Sequence, residues 1–482
     1  LVNCDKRLEL TMRRTKICCT IGPVSACQKT IEELIRAGMD TARLNFSHGT
    51  HEQHGEAIVM IRKAAEKLGV PVAIMQDLQG PKLRLGRVPG GTLTLRRAQE
   101  VTIVAQEAAG PDVLTTAYQN LAKDVHPGDK ILIDDGLIQL KVLRTRGEAV
   151  ICRVLEGGPV TSFKGINLPG VAVSSPALTE KDKQDLLFGL AQNVDYVAVS
   201  FVRRAADVLA VREIIAQQQA PAAVVAKIEK PEALADLDAI LSVSDGVIVA
   251  RGDLGVELPL ERVPVVQQHI VYRCRQVGVP CIVATQMLES MRTQPRPTRA
   301  EVTDVANALQ EGTDAVMLTA ETATGERPVQ VTRTLARIIR AVEGAERYVR
   351  VEAPLRPVAT PTVADAVADS ACRAASDLKA TAIVTLTQSG YTARMIAKYR
   401  PTAPIIAYTP HAAVQRQMQL VWGVRPRLLQ FSDDLRDLLG AIEGDMCTTK
   451  MASPGDLLVV VMGFPIPRRG TTNLITVHQV QG

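Results

Sequence analysis

One alternation restricts the fold of this chain more than any other feature. Eight short apolar runs recur along its first two thirds: TKICCTI (15–21), TARLNF (41–46), VAIMQ (72–76), DYVAVSF (195–201), AVVAKIE (223–229), GVIVA (246–250), CIVAT (281–285) and DAVML (314–318). Between most of them lie stretches of helical period, such as TIEELIRAG (30–38) and AADVLAVREIIAQQQ (205–219). Strand-sized runs alternating with amphipathic helices point to βαβ units. Eight such units within about 250 residues, one insertion set aside, predict a (β/α)8 TIM barrel. Aromatics make up only 3% of the chain. A core of Val, Ile, Leu and Ala suits parallel strands covered by helices.

Two further regions do not belong to the barrel pattern. Residues 84–165 carry TLTL, VTIV, KILIDDG, LIQLKVL and AVICRVL, punctuated by GG, PG and GE turns. They read as a small all-β module, a β-barrel lid inserted between the third and fourth strands, with hinges near Pro81–Arg84 and Gly165–Pro169. A Pro-rich stretch, EAPLRPVATPT (352–362), marks a second boundary. Beyond it, ADAVADSACRAASDL, AIVTLT, TARMIAKYR, IIAYT and LLVVVM alternate as an open α/β domain. The expected division is 1–83 and 166–351 for the two parts of the barrel, 84–165 for the lid, and 352–482 for the last domain.

Bulk properties narrow the class of function. The net charge of +5 is slight, and no long basic block or aromatic-interleaved basic patch points to nucleic acid. A mild basic excess suits small polyanionic substrates. Nine cysteines are scattered without a CxxC spacing, so reduced thiols of a cytoplasmic protein are expected. The longest apolar runs are strand-sized, and no membrane partner is expected. The N-terminal stretch lacks the apolar core of a signal peptide.

In such a barrel, chemistry gathers at the C-terminal ends of the strands. Here those ends read TIGP, NFSHG, QDLQGPK, SFVR, KIEK, ARGD, ATQMLES and TAET. Polar and charged residues cluster at nearly every one. Lys227 and Glu229 share strand parity and point to one side. Asp253 follows the next strand in RGDLG. Two carboxylates and an ammonium therefore converge. Mg²⁺ takes one or two carboxylates and leaves its other positions to water and phosphate oxygens. A metal beside a fixed cation stabilises a transferring phosphoryl group. The plainer reading is a buried Lys–Glu pair with Asp253 as a helix cap; it leaves the clustering of charge at strand ends unexplained. Amides near Gly252 and Asp253 are suited to a carboxylate if they open a short helix. Arg43, Asn45 and Ser47 alternate along one face, where Arg43 either grips a phosphate or pairs with Asp77.

These residues sit in motifs that resemble pyruvate kinase: RLNFSHGTHEQH, AKIEKPEAL, VARGDLGVE, ATQMLESM followed by PRPTRAEVTDVANA, and DAVMLTAETATG. The similarity runs from about Arg14 to His478. The resemblance implies phosphoryl transfer between phosphoenolpyruvate and ADP, giving pyruvate and ATP. It implies Lys227 as the stabilising cation, and Glu229 and Asp253 as ligands of Mg²⁺, for which Mn²⁺ can substitute. Arg43 would contact the phosphoryl group, and Gly252, Asp253 and Thr285 the substrate carboxylate. Proton delivery would occur near Thr285 and Thr319, the latter a Ser in many members. Pro23, Asn45, His48, Arg84 and Lys164 match nucleotide-side positions. The insertion would act as a closing lid, and the assembly would be a homotetramer.

The stretch DLQGPK departs from the DTKGPE of relatives that need K⁺. Asn45, Ser47, Asp77 and the Leu78 carbonyl could still form a monovalent-ion site, but Lys82 brings its own positive charge there. The expectation is an enzyme that does not require K⁺; the alternative is a solvent-facing hinge lysine. In the last domain, Thr387, Gln388, Ser389, Gly390 and Thr392 would cradle a phosphorylated sugar or nucleotide effector, with Arg468 and Arg469 adding contacts. A domain used only for subunit packing is the alternative. Two other functions compete: a Mg²⁺-dependent pyruvate-type aldolase or lyase, and a metabolite-binding pseudoenzyme without turnover.

Overall fold

The computed structural model describes residues 13–105, 110, 112–171, 173–345, 362–465 and 471–481. Eight strands form the closed barrel: β1 (Lys16–Ile21), β2 (Thr41–Asn45), β3 (Ala73–Asp77), β4 (Tyr196–Val199), β5 (Ala223–Ile228), β6 (Gly246–Ala250), β7 (Cys281–Ala284) and β8 (Ala315–Leu318). Each pairs in parallel with its neighbours in sequence order, and β1 closes onto β8. Most strand residues are buried because one face meets the lumen and the other the helices. Alternation sorts them. Cys18, Ala73, Met75, Ala198, Val225, Ile248 and Ile282 fill the lumen, while Cys19, Ile74, Val197, Val224 and Val283 pack outward.

The helices begin and end where local chemistry directs. Helix His51–Leu68 starts at Thr50, whose hydroxyl accepts from the Gln53 amide, and stops at Gly69 with φ 65°. Helices Glu180–Ala191 and Arg299–Glu311 carry the same capping box at Thr179/Asp182 and Thr298/Glu301. The run expected at 30–38 forms helix Gln28–Ala37, ended by Gly38 with φ 118°.

The insertion forms a six-stranded curled sheet and a two-stranded ribbon around one apolar core. Bridges from Arg84 to Gly165 and from Leu85 to Thr116 lie at its junction with the barrel. The last domain is a five-stranded sheet in the order Val424–Leu428, Ile405–Thr409, Ala382–Leu386, Leu457–Met462, Leu474–Gln479, with only the last strand antiparallel. Its two outer strands were not among the expected ones: VRPRL and LITVHQ are too polar to read as buried runs. Most of the Pro-rich boundary at 352–362 lies outside the described residues.

This domain also closes the base of the barrel. Leu420 joins the lumen cluster beneath Ile248 and Val225. Trp422 is stacked by Arg400 at 4.8 Å and Arg14 at 5.3 Å, and Arg400 pairs with buried Asp314 at 3.1 Å. The open end is therefore the C-terminal one. Among the described residues no helix is long and apolar enough to cross a membrane, and the eight described cysteines are free thiols.

Candidate active site

Three strand ends build a charged cluster. Arg43 lies on β2, Asp77 ends β3, Lys227 lies on β5, and Glu229 follows it directly. Lys227 Nζ sits 2.8 Å from Glu229 Oε1 and 3.3 Å from Asp77 Oδ1, and it donates a 2.7 Å hydrogen bond to Ser200 Oγ. Burial opposes the charge on Lys227, but the Asp77 and Glu229 carboxylates outweigh it and hold its pKa above the ordinary lysine value. Burial likewise opposes ionisation of Asp77, yet Lys227 and Arg43 hold it below the usual carboxylate range.

Glu229 differs from Asp77. Its Oε2 accepts from the Phe201 amide at 2.7 Å, and Phe201 adopts φ 55° in the loop after β4. Its Oε1 is buried and accepts no hydrogen bond of good geometry, although the Lys227 ammonium is near. Burial first, and then the charge of Asp253, raise the Glu229 pKa, while Lys227 works to lower it. Two carboxylates that repel one another are the donor type a hard divalent cation takes. A Mg²⁺ ion that keeps most of its water shell takes only one or two carboxylates, so these two residues fit such an ion.

Asp253 lies in the first turn of helix Arg251–Glu257, which starts directly after β6 rather than after an open turn. The Gly252 amide faces Thr285 Oγ1 at 3.1 Å. A Cβ on Gly252 would stand 3.1 Å from Thr285 Cγ2, a close approach that Thr285 would have to give way to accommodate. Thr285 itself falls just beyond β7 with φ 72°, an uncommon conformation for a β-branched residue. Arg251 holds it there, donating to the Thr285 carbonyl at 2.6 Å while pairing with Asp304 at 2.7 Å. Strain maintained by surrounding contacts is typical of functional positions.

Of the two sequence readings of Arg43, the pair with Asp77 is the contact present. Its Nε and Nη2 each lie 2.6 Å from Asp77 Oδ2, and Nη1 donates to Thr20 Oγ1 at 3.0 Å. Ser47 does not continue the strand; β2 ends at Asn45, whose Oδ1 accepts from the Ser47 amide at 3.2 Å. The Leu78 carbonyl accepts from Ser200 Oγ at 2.7 Å. Thus Asn45, Ser47, Asp77 and Leu78 each have a protein partner. Lys82 reaches towards Asp253 instead, with Nζ 3.9 Å from Asp253 Oδ1.

Both matches of a family model fall on this architecture. "Pyruvate kinase, barrel domain" covers residues 12–332, and "Pyruvate kinase, alpha/beta domain" covers 365–478. The chain belongs to the pyruvate kinase family. It is similar to the pyruvate kinases of Staphylococcus aureus strains MRSA252 and USA300, each 45% identical over 472 residues, covering 97% of this chain and 81% of the relative. A crystal structure of a pyruvate kinase from Cryptosporidium parvum superposes with a TM-score of 0.91 at 35% identity, covering 98% of this chain and 97% of that one. Membership makes the chain a phosphotransferase and sets aside the aldolase and pseudoenzyme readings.

On the nucleotide side expected of a pyruvate kinase, His48 is lowered in pKa by burial, then by Arg84, Lys82 and Arg43. Those three cations therefore act on one space. Arg84 donates to the Phe163 carbonyl at 3.2 Å and Lys164 pairs with Asp134 at 2.9 Å, so both are engaged with the lid. Pro23 is exposed at the end of β1, beside Gly22, which packs tightly against Ala323. In the last domain Thr387 and Thr392 are buried, the Thr392 hydroxyl meets that of Thr472 at 2.8 Å, and Gln388 Oε1 meets His411 Nε2 at 2.7 Å. Ser389 and Gly390, the latter with φ 77°, lead into helix Tyr391–Ala397. Arg468 and Arg469 lie outside the described residues.

Sequence reasoning missed two groups. Ser200 links Lys227 to the Leu78 carbonyl. Glu321, fully buried, accepts from the Leu288 amide at 3.1 Å and from the Thr319 amide and hydroxyl at 2.7 and 3.1 Å. It ties the loops after β7 and β8 together and orients Thr319. Its position in TAET, at a strand end, was the available signal.

Proposed function

We propose that the open end of the barrel transfers the phosphoryl group of phosphoenolpyruvate to ADP, giving pyruvate and ATP, with Glu229 and Asp253 holding Mg²⁺. The observation that carries this reading is the gathering of Arg43, Asp77, Lys227 and Glu229 at the strand ends, with Asp253 acting on Glu229 and Lys227 held charged by two carboxylates. When bound, Mg²⁺ supplies Lewis-acid neutralisation of charge on the substrate oxygens. Lys227 places a fixed cation at the phosphoryl group in flight, and Arg43 contributes a second from β2. The Gly252 amide and Thr285 hydroxyl receive the substrate carboxylate. Once the P–O bond to the enol oxygen breaks, the enolate carbon takes a proton in the region of Thr285 and Thr319, and Glu321 sets the direction of the Thr319 hydroxyl. His48, Arg84 and Lys164, with Pro23 and Asn45, border the nucleotide side, and the insertion closes over it and excludes water.

Lys82 stands in for K⁺ in this reading, through its contact with Asp253. Mn²⁺ substitutes for Mg²⁺. The loop 387–392 serves a phosphorylated effector, the protein works in the cytoplasm, and its subunits form a homotetramer. The direct test is a coupled assay with phosphoenolpyruvate in Mg²⁺ buffer. Pyruvate should form only when ADP is supplied; release without ADP would replace phosphoryl transfer by a lyase or phosphatase reaction.

A further inference from the structure

A second cation-rich cleft lies away from the strand ends, on the outer surface of the barrel. Helix Pro328–Glu343 follows β8, and helix Gln28–Ala37 follows β1; since β1 and β8 are neighbours, the two helices pack side by side. Between them is a cleft of about 530 Å³, lined by Arg36, Arg333, Arg337 and Arg340, with Ala37 and Ala336 among its small residues. Arg333, Arg337 and Arg340 are spaced i, i+4 and i+7, so they form one stripe along a helix face. All four guanidinium-bearing residues are exposed, whereas Thr334 and Ala336 are buried.

Among the described residues, little of the charge of this cleft is compensated. Its nearest carboxylate is Glu32, 3.7 Å from Arg36, and Glu32 is already held by Lys67 at 2.9 Å. Glu343, at the end of the arginine-bearing helix, is turned away to the Arg14 and Thr15 amides and the Thr15 hydroxyl. Among the described residues, Arg337 has a 3.1 Å hydrogen bond to Thr334 within its own helix and no ion pair. Among the described residues, Arg333 and Arg340 form no ion pair. Like charges at i, i+4 destabilise a helix, and four of them around one concavity attract an anion. Guanidinium groups match phosphate oxygens in paired hydrogen bonds. Arg333 and Arg340 are separated by about 10 Å along the axis at 1.5 Å per residue. The volume falls within the usual range for small-ligand sites, roughly 300–1,000 Å³.

We propose that this cleft binds a small molecule carrying two or more phosphoryl groups, independently of the strand-end site and of the loop at 387–392. The concave wall and small floor favour a compact ligand over an extended polyanion lying on a flat surface. The test uses the full chain and inorganic tripolyphosphate in buffer free of divalent metal. Phenylglyoxal modification is mapped by mass spectrometry, with exposed Arg204, on a distant helix, as the internal reference. Saturating tripolyphosphate should slow modification of Arg333, Arg337 and Arg340 together, five-fold or more relative to Arg204, and chloride of equal ionic strength should not. In a folded Arg333→Ala/Arg340→Ala variant, the protection of Arg337 should be lost. Equal rates with tripolyphosphate and chloride would overturn the proposal. So would protection of Arg337 that survives in the variant, or arginines already inert in the free protein, which would mean that another copy of the chain covers the cleft.

Discussion

If Lys82 stands in for K⁺, replacing it by Glu should produce an enzyme that K⁺ activates. Lys82 Nζ lies 3.9 Å from Asp253 Oδ1, and the two side chains are 32% and 29% exposed. At that separation two unit charges interact by about 1 kcal/mol in water and about 4 kcal/mol at an effective dielectric of 20. Partial exposure places this pair between those limits, at about 2 kcal/mol. If the positive charge stabilises the transferring group by a similar amount, Lys82→Glu should lower kcat/KM about 30-fold in K⁺-free buffer. Adding about 100 mM K⁺ should recover much of that loss, because a monovalent cation can then restore positive charge beside Asp253 and the introduced carboxylate. Lys82→Gln should show a smaller loss and a smaller recovery. The assay is coupled turnover in K⁺ and in Na⁺ at equal ionic strength, with saturating Mg²⁺ and ADP. The reasoning fails if wild type itself needs K⁺, or if Lys82→Glu responds equally to the two salts.

Three further outcomes follow from the geometry. Lys227→Met should cut turnover on the order of 1,000-fold while phosphoenolpyruvate binding, followed by fluorescence or calorimetry, weakens far less; retained turnover would remove Lys227 from its assigned role. Glu321→Gln puts an amide donor among the Leu288 and Thr319 donors, which costs about 1–3 kcal/mol of stability, and it should lower kcat more than it raises KM; unchanged melting and kcat would show that Thr319 does not depend on Glu321. Burial lowers the Lys16 pKa from 10.5 to about 8, which corresponds to about 3 kcal/mol. Below pH 8 the folded protein carries that buried charge, and between pH 8 and 10.5 the unfolded chain holds the extra proton, so stability from this site rises with pH. Wild type should therefore gain on Lys16→Met over that window in chemical unfolding, and a constant difference would refute the assignment.

The site was legible in part because its ingredients are local. Lys227 and Glu229 lie two residues apart on a strand, so parity alone brings them to one side. Arg43 was legible as a residue but not as a contact. Its partner Asp77 belongs to the next strand, and which oxygen the guanidinium takes depends on the β2–β3 register, where Arg43 faces Met75 and Asn45 faces Asp77. Ser200 and Glu321 were overlooked because a hydroxyl or carboxylate at a strand end does not reveal which amide or ammonium it will meet.

By itself the sequence determined the eight barrel strands, the inserted β module, the three inner strands of the C-terminal sheet and the set of polar strand ends. Each is written in short-range hydrophobic period and turn chemistry, which act over a few residues. Only the tertiary structure decided the rest. It directed Lys82 to Asp253, set Glu229 between Lys227 and the Phe201 amide, held Thr285 at positive φ through Arg251, and seated Leu420 of the last domain under the barrel lumen. These outcomes join residues far apart in the chain. Charge pairing and packing act through distance in space, and closure of the barrel sets that distance.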